Sequence, residues 1–428
     1  MKYSLAAALA ALLLIPATAA AQHYPEPKEP GKIAPKPKGP FKTYTVCKKK
    51  HRCDFRTIQK AVNKAKAGDK IKVRPGVYRE QVLITGRKKR YLRIIGNPAK
   101  PRKVVLDGRS KKQNGFFVNG ADQVTINGFM AKNYKSNGFF VTNVVGYKLT
   151  HLVSVKGGVY GIYAFNSKGG EMSHSEAYYH SDAGFYIGQT PQQDKPIRSV
   201  VRDVKSWGNP IGFSATNMRY VTITDSSFYN NGLGIVPNAL ESEKFPPAED
   251  NVITGNKIFW NNFNFHAGAP FKFKNSGVVP LVPIGTGVLL LGGRGNRIED
   301  NDIFGNYLTG VAAVEGVLLD KTVEARALIN NQVKGNRFGL GGRDLNGRDE
   351  SYDGNGSGNC WGPNEGVQVM SPGDASMYPA CPFAGNNAFS SAAQGELLGF
   401  AGENALKGWA KHPHSAQPGI TPLEVYKK

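Results

Sequence analysis

The chain has 428 residues, with 55 Lys and Arg against 32 Asp and Glu, a net charge of +23. That balance points to a polyanionic partner, or in the plainer reading to a solvated basic surface. After the first 21 residues no apolar run is long enough to span a bilayer, which excludes an integral membrane protein built of helices.

Met1 to Ala21 carry one Lys, a Leu/Ala run and the small-residue end Ala19-Ala20-Ala21, the form of a cleavable export signal. Its removal takes away only Lys2 and leaves +22. Secretion to the cell exterior or envelope is therefore expected, with no membrane insertion. Residues 22–44 are rich in Pro, Lys and Gly and read as an extended tether. Cys47 with Cys53 and Cys360 with Cys381 form two local pairs flanking the middle of the chain. In an exported protein two disulfides are expected, and neither pair has the C-x-x-C spacing of a zinc site.

After Asp54, the stripe Phe55, Ile58, Ala61, Val62 and Ala65 has helical spacing and stops at Gly68, so a short helix should lid the first coil. Then a repeat begins. Asn114-Gly-Phe-Phe, Asn137-Gly-Phe-Phe, Gly161-Ile-Tyr and Gly184-Phe-Tyr place glycines at 115, 138, 161 and 184, a constant interval of 23 residues. Ile126, Leu149 and Met172 keep the same interval, as do Gly287 and Gly310. A fixed period of this length means stacked coils. Each coil reads as a strand after the glycine, a turn, a second strand such as Val221-Thr-Ile, a Gly/Asp/Asn corner and a brief third strand. The expected fold is all-β, a three-sheet right-handed parallel β-helix of about ten coils over residues 45–345, with an N-terminal capping helix. Residues 346–428 are expected to form a loop-rich cap held by a disulfide.

The opening Thr57-Ile-Gln-Lys-Ala-Val, Gly68-Asp and Val73-Arg-Pro-Gly-Val-Tyr-Arg-Glu80 resembles that of secreted pectin-lyase-like β-helix proteins. The likeness covers residues 45–340 and implies the fold, shared by lyases, esterases, epimerases, hydrolases and phage-type spikes. Gly76-x-Tyr78-x-Glu80 also resembles a pectin methylesterase motif, but that family's catalytic Gln-Asp and Asp-Phe segments have no match. His180 to Gln189 resembles a stretch of β-helix proteins without an assigned activity.

In the resembling folds the substrate groove runs over the strand after the glycine corner. Insertions at Thr190 to Ile197, Ala239 to Glu249 and between Pro270 and Pro283 would wall it on one side. Strand alternation turns Phe117, Phe140, Tyr163 and Tyr186 outward in one column, either an open carbohydrate platform or a face covered by a loop or the C-terminal tail. His180, aligned with Gly157, Gly208, Asn230 and Asn306, departs from its column. With Asp182 and Tyr186 it could supply a base, an orienting carboxylate and a phenol acid. Lys135, Lys156 and Arg219 would neutralise a uronate substrate, with Gln189 among the groups that bind it. Alternatively, His180 fills a hydrogen-bonded turn ladder.

In a second corner column His151, His174 and Asp203 replace Gly128, Asp225, Gly255 and Asp300, read as a ladder in preference to a metal site. Asp353-x-Asn355-x-Ser357-Gly358-Asn359 has half of a calcium-loop pattern but Asn364 at its twelfth position. No cofactor is expected beyond that calcium option, and the Gly-rich segments at 292–295 and 339–342 lack the Lys and context of a phosphate cradle. The expectation is a monomeric lyase or C5-epimerase of an acidic polysaccharide, with no nucleic-acid partner. The alternatives are a non-catalytic binder of an anionic wall polymer, and a glycoside hydrolase pairing Asp182 with Glu241, Glu243 or Asp194.

Overall fold

The structure is a computed structural model and describes residues 32–33, 35–48, 53–265, 282–317 and 323–406. The leader, part of the tether and the insertion at 270–283, apart from its last two residues, lie outside them. Eleven parallel strands, from Val82–Thr85 through Asn114–Asn119 and Ala183–Gly188 to Met370–Ser371, stack into one sheet behind the glycine corners. An 18-stranded sheet forms the other two faces. In its middle coils single strands such as Tyr147–Val155 bend from the second face to the third. The chain is the expected right-handed parallel β-helix.

Backbone conformation makes the bend. His151, His174, Asp203, Asp225 and Asp300 lie at φ between 48° and 56°, and Gly128, Gly255 and Gly335 share the corner with positive φ. Gly, Asp and Asn enter this region at lowest cost, which explains the composition of the column. At the post-glycine corner the need is space. A Cβ on Gly161 would stand 2.3 Å from the carbonyl oxygen of Gly184, and one on Gly184 would stand 2.2 Å from Ser206 Oγ.

The shaft is filled by Phe116, Phe139, Ile162, Phe185 and Phe213, all fully buried. At each corner an inward asparagine column ties coil to coil. Asn256 N–H donates to Asn301 Oδ1 at 3.0 Å and Asn301 N–H to Asn336 Oδ1 at 3.1 Å. The side-chain amide of Asn301 meanwhile donates to the Ile253 carbonyl at 2.9 Å. Corner backbone groups that turn away from the sheets are thereby satisfied.

The capping helix is Ile58–Lys64, beginning at Thr57, whose hydroxyl accepts the Lys60 N–H. Asp54 instead accepts from Thr45 N at 2.7 Å. Glu80, of the motif resembling an esterase, accepts from Ile58 N and Gln59 N at 3.0 and 2.9 Å and so holds the lid. Cys47–Cys53 and Cys360–Cys381 are disulfides. Coiling runs past the expected boundary at 345: Glu350–Tyr352 and Met370–Ser371 pair in parallel, and the asparagine ladder reaches Asn387. No helix among the described residues is long and apolar enough to cross a membrane.

Gly184→Val drives its side chain against Ser206 and against Asn209 Nδ2, 2.9 Å from an ideal Cβ. It should cost about 1–3 kcal/mol, read as a lowered urea midpoint; an unshifted midpoint would show that the corner has room.

Candidate functional site

Phe117, Phe140, Tyr163 and Tyr186 are vertical neighbours in register, with ring centroids 5.1, 4.4 and 4.8 Å apart. They form a cluster separate from the core, so the alternation holds. The column is nevertheless covered: Phe140, Tyr163 and Tyr186 are at most 2% exposed and Phe117 is half-buried. Of the two readings of this face, the structure gives the closed one.

His180 faces inward. Its Nδ1 accepts the Gly157 N–H at 3.1 Å, and its own N–H donates to Asn209 Oδ1 at 2.9 Å. It therefore heads the ladder that continues through Asn231, Asn261, Asn306 and Asn346. The expected alignment with Gly208 and Asn230 was one residue out of register. Burial pushes the imidazole down to about 4, which leaves it neutral at physiological pH and out of reach of a substrate on the outer face.

Asp182 and Tyr186 do come together, and Glu243 from the 239–249 insertion joins them. The Tyr186 hydroxyl donates to Glu243 Oε1, and Tyr160 shares a hydrogen bond with Asp182. Burial raises Asp182 to about 7 and Glu243 to about 8, the Tyr186 bond offsetting part of the second shift. Both carboxyls thus hold protons well above their usual range.

Gln189 and Arg219, expected to grip substrate, instead fasten the loop. Gln189 Oε1 accepts from Lys244 N at 2.8 Å. Arg219, 1% exposed, donates from Nε to Glu249 at 2.8 Å and from Nη1 to the Phe245 carbonyl. Only Lys135 and Lys156 of the expected cations stand exposed, on the turns of the two preceding coils.

At the second corner the His151 and His174 rings lie 4.7 Å apart, and Asp203 is 2.5 Å from His174 Nδ1. In the half-matching calcium loop, Asp353 accepts from Asn355 N and Glu315 N at 2.9 and 2.8 Å. Asn355 Oδ1 accepts from Leu328 N at 3.1 Å, so the loop's oxygens brace backbone.

A feature that sequence reasoning missed lies on the third face. Tyr178, Trp207, Tyr229, Phe259 and Phe304 occupy one outward register column over five coils. Tyr178 stacks on Trp207 at 4.4 Å, and Phe259 on Tyr229 at 5.1 Å and on Phe304 at 4.9 Å. The first four are half-exposed. Trp207 Nε1 donates to Glu176 at 2.9 Å, which fixes the indole. Exposed Lys205 and Lys257 flank the rings, and beyond Phe304 a cavity of about 410 Å³ opens between Asp302, Arg337 and Leu340. The signal was present: each ring stands two residues before a ladder residue, as in Trp207-x-Asn209, Tyr229-x-Asn231 and Phe259-x-Asn261.

The family model described as "Periplasmic copper-binding protein (NosD)" matches residues 96–314, just over half of the chain. No curated protein matches. Among solved structures, the A-module of mannuronan C-5 epimerase AlgE4 from Azotobacter vinelandii is 14% identical, covering 78% of this chain and 93% of its own (TM-score 0.47). An alginate lyase from Paenibacillus is also 14% identical, with coverage of 76% and 98% (TM-score 0.42). Pectate lyase Pel9A is 13% identical over 81% and 82% (TM-score 0.40).

His180→Ala removes the acceptor of the Gly157 N–H and should cost about 1–3 kcal/mol, whereas His180→Asn restores a ladder amide and should retain stability. Equal urea midpoints for the two variants would remove His180 from the ladder. The two carboxyls give a second expectation. Their protons are held more tightly folded than unfolded, so their stabilisation is full below the unfolded values near 4 and is lost as pH rises through about 7 and 8. Asp182→Asn/Glu243→Gln should therefore reduce the loss of stability between pH 6 and 9 by on the order of 4 kcal/mol; melting curves that keep the parent's pH slope would contradict this.

Proposed function

This chain belongs to the NosD family, and we propose that it is an exported, non-catalytic binder that holds an acidic carbohydrate polymer along its third face. The observation carrying this reading is the column of aromatic rings from Tyr178 to Phe304. Sugar rings present C–H faces that pack on aromatic surfaces, and a row repeating once per coil suits a chain that also repeats. Lys205 and Lys257 beside the rings favour carboxylate-bearing sugars. Both disulfides suit an oxidising compartment outside the cytosol.

The family's name says that its namesake binds copper. The described residues do not suit that ion: no three His, Cys, Asp or Glu side chains among them cluster with metal-holding geometry. All four cysteines are in disulfides and His180 serves the ladder. His151 Nδ1 lies 2.9 Å from Thr150 Oγ1, and His174 Nδ1 faces Asp203.

A second reading, catalysis, rests on the paired carboxyls Asp182 and Glu243 with raised proton affinity. It requires the 239–249 loop to lift, and Gln189, Arg219 and Tyr186 fasten that loop.

Titration calorimetry with polygalacturonate and alginate should give binding that survives an ionic strength of about 0.5 M, where the Debye length falls below ~5 Å. Trp207→Ala and Phe259→Ala should each weaken it tenfold or more, and absorbance at 235 nm should stay flat. Unsaturated product growing at 235 nm would replace binder by lyase. Unchanged affinity in both variants would remove the strip from the site.

A further inference from the structure

The charge that the sequence ties to a polymer is not on the aromatic strip. Residues 42–112 hold 24 Lys and Arg against four Asp and Glu, a net +20 of the chain's +23. Its described residues, all but 49–52, form the first coils and the lid helix, from Thr43–Val46 through Ile58–Lys64 to Val104–Asp107. One end of the shaft is therefore strongly basic and the remainder nearly neutral.

The four acids of this end do not neutralise it. Asp54 is turned onto the N–H of Thr45, Asp69 onto those of Lys42 and Lys66, Glu80 onto the lid helix and Asp107 onto Arg109 N. Among the described residues, Arg102 alone of these cations has an ion pair, with Glu176 further along the shaft. The others surround the end in place of lining a groove. Lys60 and Lys64 are exposed on the lid, Lys72 and Arg93 on the second face, and Arg87 and Lys88 beyond the first strand of the glycine sheet.

Apolar side chains are exposed among them: Phe41 at 39%, Val77 at 42% and Leu83 at 41%. A soluble polyanion needs only the charge. Cations spread over a blunt end, with apolar groups between them, match the headgroup zone of a lipid surface.

We propose that the N-terminal end of the shaft docks on an anionic lipid bilayer, leaving the aromatic column that starts at Tyr178, further along the third face, clear of it. The contact is separate from the polymer-binding reading and stands whether or not that reading does.

The test is co-sedimentation of the full chain with phosphatidylcholine vesicles containing roughly one third phosphatidylglycerol, against phosphatidylcholine alone. The parent should pellet with the anionic vesicles only and be released by high salt. Lys60→Glu/Lys64→Glu/Arg87→Glu/Lys88→Glu should lower apparent affinity at least tenfold, and the milder Arg87→Gln/Lys88→Gln, in an exposed turn, severalfold, both with the parent's circular dichroism. Lys205→Glu/Lys257→Glu, beside the strip, should sediment as the parent does. Neutral vesicles binding as well as anionic ones, lid variants with parental affinity, or an equal loss in the strip variant would each overturn the proposal.

Discussion

Backbone hydrogen bonding between coils at their corners is the constraint on which the shaft depends. A strand satisfies its amides through its neighbours, but the residues that turn the corner leave that ladder and would be stranded inside the coil. Asn256, Asn301 and Asn336 solve this with a side chain that accepts one N–H and donates to a carbonyl in an adjacent coil. Each such bond contributes only about 1 kcal/mol net, but leaving one unmade in the interior costs more. The left-handed corner residues and the close-approach glycines set the geometry that places these amides.

The parts of this arrangement legible in the sequence are those where the physics acts locally. The glycines at 115, 138, 161 and 184 could be read because any Cβ would strike atoms of its own or a neighbouring coil, so the interval shows directly. Alternation then assigned Phe116 inward and Phe117 outward correctly. His180 was misread because Asn209 and Asn231 follow turns of unequal length, so that the neighbours Gly208 and Asn230 seemed to align with it. That Tyr186 is tied to Glu243, 57 residues on, could not be read from the repeat, because the contact joins a coil to a loop outside its period. The coils beyond 345 went unread because their strands shrink to two or three residues, with asparagines such as Asn359 and Asn364 marking the corners instead.

Two aromatic columns on one shaft have opposite fates. On the glycine sheet the rings stack and all but Phe117 are sealed, with Tyr186 anchoring Glu243. On the third face they stack, and all but Phe304 stay half-buried. Residue type is the same in both; on the glycine sheet the 239–249 loop reaches the column through Glu243. Gln189 and Arg219 show how complete the change of role is: polar groups that look poised for a ligand are the bolts of the cover.

The ladder through Asn209, Asn231, Asn261 and Asn306 bridges sequence intervals of 22, 30 and 45 residues with the same 3.1–3.3 Å contact. What defines a rung is therefore its corner chemistry and not its length. A whole rung can be duplicated or lost, or its loop rewritten, without disturbing those above and below, because each meets only its immediate neighbours. Reach along the axis is thus a quantity that descent can adjust in steps of one layer, while the reading surface keeps its pitch.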